Sequence, residues 1–465
     1  MRIVLLCCLV GCAGPDADPS DVTDDPVDPY AGIEPSDAIQ PLGALIGGRV
    51  IHLMDVSTDG QTAWVSAYAG GYPVDVRDPA SPLRLDAPLG RRLYGVDVDA
   101  DRVLFSGRES GVLLAGRGDG EALQRIARRV DDVEAPERAV LLGDHVVIAA
   151  QTGGLIVARA ADLEEVARVT DAVPNAFAVA ASGSLVAVGD RERGLVLLDL
   201  SDPTNPVERG ALALRGAPQD LDFVGDVVWA ASGSVIEAVD VSSPDAPVLR
   251  STTATLGVAT RLDASGDLLA VAAWEDTRLY DVSDPDAPVL IATEGADSSA
   301  TSVAIHDDLL VVGDWDDLRT YRIDASARSA ELRAEDNILV TGLGSATAEL
   351  RIQNEGNLPL DLGRLSCEDE RLTPIFEPEQ LLPAEATELE VGVDLGTGAP
   401  FEGRCTVTSS DVDEPAHSFL IRANPAGLSV GDLAPDFTLP DLDGTFHSLS
   451  DTRGKVVLIS IFSSI

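Results

Sequence analysis

Asp199-Leu-Ser-Asp-Pro-Thr-Asn-Pro206, Asp240-Val-Ser-Ser-Pro-Asp-Ala-Pro247 and Asp281-Val-Ser-Asp-Pro-Asp-Ala-Pro288 are three copies of one turn, their first aspartates 41 residues apart. A fourth copy stands earlier, at Asp75-Val-Arg-Asp-Pro-Ala-Ser-Pro82. Proline presets φ and aspartate bonds back to its own backbone, so the motif reads as a fixed turn between two strands. A second marker runs in step with it. Tight turns fall at Gly60, Asp101, Gly143, Gly183, Gly225, Gly266 and Asp307, spaced 41, 42, 40, 42, 41 and 41 residues apart. Seven turns predict seven units between residues 43 and 330. Units two and three replace the Asp-Pro motif with Gly116-Arg-Gly-Asp and Arg159-Ala-Ala-Asp. Within one unit, 257–264, 268–274, 278–282 and 289–293 read as four strands. Four short strands in about 40 residues is the signature of a propeller blade.

The repeat resembles the LVIVD-repeat family of β-propellers, whose Val/Ile-Asp strand is matched by Tyr280-Asp281-Val282. The resemblance implies a seven-bladed β-propeller over 43–330. It implies no activity, because propellers host many functions.

The marker aspartates invite a metal reading, but a residue repeated at one blade position more simply shapes its turn. Residues particular to single units are more informative. Eight positions beyond the tight turns stand Tyr68, Glu109, Gln151, Arg191, Gly233, Trp274 and Trp315. In a propeller these open onto the face opposite the tight turns. The tryptophans are flanked by acids, in Trp274-Glu275-Asp276 and Trp315-Asp316-Asp317. Tyr68, Glu109, Gln151, Arg191, Trp274 and Trp315 are therefore the candidate binding face. The competing reading packs both tryptophans between blades.

Residues 331–424 change character. Ala348-Glu-Leu-Arg-Ile352 and Thr387-Glu-Leu-Glu-Val-Gly-Val393 alternate as sandwich strands do. Asn354-Glu-Gly-Asn-Leu-Pro-Leu360 and Thr406-Val-Thr-Ser-Ser-Asp-Val-Asp-Glu-Pro415 resemble the Ig-like domains of the Hydin and abnormal-spindle type, which implies an Ig-like β-sandwich acting as a spacer. Cys367 and Cys405 are the cysteines beyond Cys12. In an oxidising compartment such a pair forms a disulfide, and two buried thiols are the alternative.

The two ends are of other kinds. Met1-Arg2, the apolar run Ile3 to Val10, and Leu9-Val10-Gly11-Cys12 resemble a bacterial lipoprotein signal over 1–11. That resemblance implies lipid attachment at Cys12 and a membrane-anchored, extracytoplasmic protein. Residues 13–38 hold eight Asp and Glu, five prolines and no Lys or Arg. With Cys12 they read as an acidic tether over 12–42. At the other end, Gly431-Asp-Leu-Ala434-Pro435-Asp-Phe437 through Gly444, then Gly454-Lys455 and the apolar strand Val456 to Phe462, resemble the opening of the redoxin family. The resemblance implies a truncated α/β thioredoxin-fold fragment over 425–465, with the reactive residue due just after Ile465. The expectation is a reading frame that continues, broken either by a selenocysteine codon or by a frameshift.

Charge and motifs narrow the function. Net charge is -45, with 33 Lys and Arg against 78 Asp and Glu, which disfavours nucleic acid as a partner. His52, His145, His306, His417 and His447 are scattered, and no catalytic motif, metal site or cofactor is expected. Asp97-x-Asp99-x-Asp101 has calcium-like spacing but leads into a repeat turn. Two functions remain. One is a lipoprotein whose propeller and sandwich present a thiol or selenol oxidoreductase or peroxidase, inactive without the residue after Ile465. The other is a non-enzymatic surface binding protein with a decayed redoxin tail, recognising an unknown extracytoplasmic ligand.

Overall fold

The computed structural model describes residues 38–424, apart from 46–52, 86–87, 109, 118–122, 131–135, 256, 316, 335–336, 384 and 413, together with 438–440 and 446–448. Among the described residues every regular element is a strand. Residues 1–37, including Cys12, lie outside them, as do Glu109 and the expected strand 456–462. At the C-terminal end only the pairing of Thr438–Pro440 with Phe446–Ser448 is described, so an α/β fragment finds no support there.

Five sheets are four-stranded antiparallel meanders, covering 53–84, 95–129, 138–169, 176–212 and 218–254. A sixth sheet has seven strands, built from 261–323 and completed by Ile39–Leu45. Its centre is one 18-residue strand, Val289–His306. This strand ends one four-strand unit and begins the next, where the sequence predicts two separate strands. The innermost strands of successive units touch in order, and the strand Leu53–Thr58 meets Val289–His306 to close the ring. The chain is a β-propeller repeat protein.

Alternation along each strand explains the packing. Val147, Leu155 and Val157 of one sheet bury against Val179, Val186 and Val196 of the next. Leu53, Val65 and Val74 bury against Ala304, Val311 and Leu318, which seals first unit to last. Each fully buried Val or Leu contributes about 1.5–3 kcal/mol, so the seam between sheets carries much of the stability.

Ile39–Leu45 corrects the tether boundary. Residues 39–42, read as tether, pair antiparallel with the strand Asp317–Ile323, from Ile39 opposite Ile323 to Leu45 opposite Leu318. Ile39 is fully buried beside Tyr321 and Ile323, which is what an apolar residue at the end of an acidic segment is for. The chain reaches this strand on the tight-turn face, where the Asp324 amide donates to the Ala38 carbonyl at 2.9 Å.

Residues 332–423 form two further sheets, of four and five strands, around one core that includes Leu350, Leu389, Val391, Phe419 and Ile421. Cys367 and Cys405, directly opposite on paired strands, are bonded with their Cα atoms 4.0 Å apart. This sandwich is clamped to the propeller by a buried ionic network. The Arg278 guanidinium donates to Asp276 at 2.9 Å and to Glu355 of the sandwich at 3.0 Å. The Thr293 hydroxyl donates to Glu355 at 3.2 Å, and Arg333 of the sandwich pairs with Asp276.

Candidate functional site

The innermost strand of each unit has no further strand on its axial edge, so its amides need other acceptors. Aspartates of the preceding unit supply them. Asp55 accepts from the Val96 amide at 2.8 Å, Asp97 from Leu141 at 2.7 Å, and Asp220 from Leu262 at 3.1 Å. Asp222 accepts from Ala264 at 2.9 Å and Asp263 from Ile305 at 2.7 Å. Asp97 is thus a stitch between units. Asp99, two residues on, accepts from the Asp101 and Arg102 amides at 3.0 and 2.7 Å, shaping the turn. The calcium-like spacing divides into two structural roles.

Two arginines cross the axis. Arg138 pairs with Asp55 and, at 2.6 Å, with Asp220 on the far side. Arg261 stands 3.6 Å from Asp55 and donates to the Tyr94 carbonyl at 3.2 Å. Beneath Arg138 a cavity of about 200 Å³ is lined by Ser57, Asp97, Asp222 and Asp263 among others. Burial pushes the Asp97 carboxyl up to about 6. Burial also raises Asp222 and Asp263; repulsion from Asp220 and Asp97 adds to it at Asp222, and repulsion from Asp222 adds to it at Asp263. The axis is braced and acidic rather than open.

On the face opposite the tight turns, the candidate positions fall into three groups. Trp274 and Trp315 are both half-buried and meet edge to face, ring centroids 5.7 Å apart. Tyr68 is half-buried and belongs to a second cluster. Its ring meets Tyr94 edge-on at 5.9 Å and the two hydroxyls are 3.2 Å apart. Arg108 lies 4.9 Å from the Tyr94 ring centre and pairs with Glu137, and Gln151 donates to Glu137 at 3.2 Å. Arg191 stands apart, stacked 3.8 Å over Phe177. Tyr94, Arg108 and Glu137 escape the sequence reading because they do not occupy the repeat position. Tyr94 and Glu137 precede an innermost strand, in connections whose lengths vary.

Backbone conformation divides the equivalent positions, with Gln151, Gly233 and Trp274 left-handed and Tyr68, Arg191 and Trp315 not. Gly233 turns the chain at this position with φ +70°. Gln151 and Trp274 adopt the same left-handed region, at +46° and +67°. Glycine enters it freely, whereas a residue with a Cβ does so at a cost of roughly 1–2 kcal/mol. This reversal also starts the third strand at Trp274, running Trp274–Asp281, rather than ending the second there.

The tight-turn face is different in kind. Asp199, Asp240 and Asp281 accept from the amides of Ser201, Ser242 and Ser283 at 2.8, 3.0 and 2.9 Å. Arg209 then joins Asp199 to Asp245 of the next unit, and Arg250 joins Asp240 to Asp286. Among the described residues no group of three or more His, Cys, Asp or Glu is arranged to hold a metal ion.

Residues 175–213 match the LVIVD repeat family. No curated protein matches the chain. Similar solved structures include the computationally designed Ika8 protein, at 12% identity over 61% of this chain and 100% of that one, TM-score 0.46. The WD40 β-propeller domain of Doa1 is 13% identical over 62% of this chain and 97% of that one, TM-score 0.49. A chain of the mitotic checkpoint complex is 11% identical over 68% of this chain and 100% of that one, TM-score 0.49.

Proposed function

We propose that this protein is a lipid-anchored binding protein of the bacterial cell envelope, tethered through Cys12 and recognising a ligand on the propeller face that carries Trp274 and Trp315. The observation that carries the reading is Trp274 itself. A bulky side chain is held in a backbone conformation that Gly233 adopts without cost, and it stays half-exposed beside a second tryptophan. Strain kept at a surface position, with no core filled in return, marks a functional site.

The topology supports the orientation. The tether joins Ile39–Leu45 on the tight-turn face, so the aromatic face points away from the anchoring membrane. We read the seven tight turns and the shared central strand of the seven-stranded sheet as seven blades, and residues 331–424 as an Ig-like spacer. The clamp from Arg278 to Glu355 supports a second component of the reading. A spacer held rigidly against the propeller would present a redoxin-type domain, beginning near residue 425, at a fixed place relative to the bound ligand.

The test is co-sedimentation of the unlipidated Cys12→Ser chain, as parent for the variants, with isolated cell-envelope material. The parent chain is expected to sediment, and Trp274→Gly and Trp315→Ala to remain in solution while still folded. Equal sedimentation of parent and variants would discard the binding face. Mass spectrometry of the native N-terminus checks the anchor, for which an unacylated Cys12 is the contrary result.

A further inference from the structure

We infer that the aromatic face takes an extended, uncharged polysaccharide whose sugar rings pack in turn against Trp274, Trp315 and Tyr68; this rests on the binding-face reading above. Three observations carry it. The first is the layout. The Leu53 amide donates to the Trp315 carbonyl at 3.1 Å, and Leu53 pairs across to Ala67, the neighbour of Tyr68. Trp315 and Tyr68 are therefore about two strand spacings, ~10 Å, apart along the backbone sheet direction. With Trp274 beyond Trp315, the half-buried aromatics span three consecutive units and on the order of 15 Å. A single small molecule cannot touch such an arc, but a chain of rings can.

The second observation is the shape of each contact. Trp274, Trp315 and Tyr68 are half-buried, each leaving part of its side chain accessible to solvent. Flat amphipathic rings of this kind suit a partner with an apolar face and a polar rim. A sugar ring with equatorial hydroxyls has that form on both sides.

The third is the polar company. Arg108 and Gln151 are donors beside Glu137, an acceptor, immediately next to the Tyr68–Tyr94 pair. Hydroxyls both donate and accept, so they match a mixed donor and acceptor set. A proline-rich peptide also offers flat rings, but its backbone there supplies carbonyl acceptors alone. A polyanionic glycan is disfavoured by the net charge of -45.

The probe is intrinsic fluorescence during titration with cellohexaose and chitohexaose, with an oligoproline of similar length as comparison. Of the four tryptophans, Trp64 and Trp229 are buried and Trp274 and Trp315 are the half-exposed reporters. The expected result is a saturable change with at least one hexasaccharide, with affinity lowered at least tenfold in Trp274→Gly and in Tyr68→Ala. Tyr68→Ala leaves both reporters in place, so it separates loss of binding from loss of signal. Unchanged far-ultraviolet circular dichroism shows that each variant is folded. No saturable response to either hexasaccharide overturns the polysaccharide assignment. If oligoproline responds instead, or the envelope co-sedimentation still depends on Trp274, the binding face survives with a different ligand. If neither holds, both readings fall.

Discussion

Asp240 at a tight-turn rim and Trp274 on the opposite face belong to the same repeat, yet they answer to different constraints. Asp240 and its copies Asp199 and Asp281 each accept from a serine amide two residues on, and two of them are tied to the next unit by Arg209 and Arg250. Each is explained by its neighbours. At the position that carries Trp274, the described units hold Tyr68, Gln151, Arg191, Gly233, Trp274 and Trp315, and local structure alone would choose the glycine. Repeated residues build the ring, and residues peculiar to one unit are either its internal bracing or its site.

The largest effect is expected at Arg138, which shares its repeat position with one other arginine, Arg261, and holds Asp55 and Asp220 together across the axis. Removing one partner of a buried ionic cluster leaves uncompensated charge, at a cost of about 3–5 kcal/mol. Arg138→Met keeps the volume and removes the charge. Urea unfolding should show that loss. A change no larger than that of a surface residue would mean the axis is wet enough to solvate both aspartates.

Next comes the acidic layer below Arg138. Asp97 has a folded-state value of about 6, raised by burial from 3.8. In the interval between those values the folded chain binds more protons than the unfolded one, so stability falls as pH rises through it and is fully present below it. A shift of this size corresponds to at most about 3 kcal/mol, less where channel water screens the charge. Asp97→Asn can still accept the Leu141 amide but cannot ionise. Its urea midpoint should decline less than the parent's between about pH 4 and about pH 7. Parallel declines would show that Asp97 is ionised at an ordinary value.

How far the sequence reveals these roles depends on distance along the chain. The turn markers are visible because each aspartate acts on residues two or three positions away. The axial brace is hidden because Arg138 meets carboxylates 83 and 82 residues off, in units whose innermost strands otherwise look alike. Ile39–Leu45 is hidden for the same reason, since its partner strand ends at Ile323. The clamp of Arg278 on Glu355 joins residues 77 apart, in two different kinds of sheet. The candidate face is half legible. Its positions follow from counting past the tight turns, but the left-handed backbone at Trp274 does not, because glycine is the usual sign of that conformation and here it is absent.

Trp274→Gly tests that conformation directly. Relief of roughly 1–2 kcal/mol of backbone strain opposes the loss of a half-buried indole and of an edge-to-face contact worth about 0.5–1.5 kcal/mol. The terms nearly cancel, so the unfolding free energy should move by no more than about 1 kcal/mol while ligand binding is lost. Trp315, whose φ is not left-handed, offers no such relief, and Trp315→Ala should be the more destabilising of the pair. If Trp274→Gly unfolds the chain as readily as Arg138→Met, the indole is packing between units and the site reading is mistaken.

Arg250 should matter least, although it bonds two carboxylates just as Arg138 does. It donates to Asp286 at 2.7 Å and to Asp240 at 3.0 Å, joining one unit to the next in the way that Arg209 does. Both carboxylates are held below the usual aspartate range by hydrogen bonds, from Ser242 at Asp240 and from Arg250 itself at Asp286. But the guanidinium sits at the rim in water, where attraction is screened and the long side chain loses freedom when it is fixed. Arg250→Ala should barely shift the thermal midpoint in dilute buffer, and any shift should vanish at high salt. The neighbouring units remain sealed by Trp229, Ala231 and Ile236 packed against Leu262, Leu269 and Val271, which the substitution does not touch. A salt-independent loss comparable to that of Arg138→Met would reverse the comparison, because the repeated rim, rather than the unit-specific axis, would then be holding the ring closed.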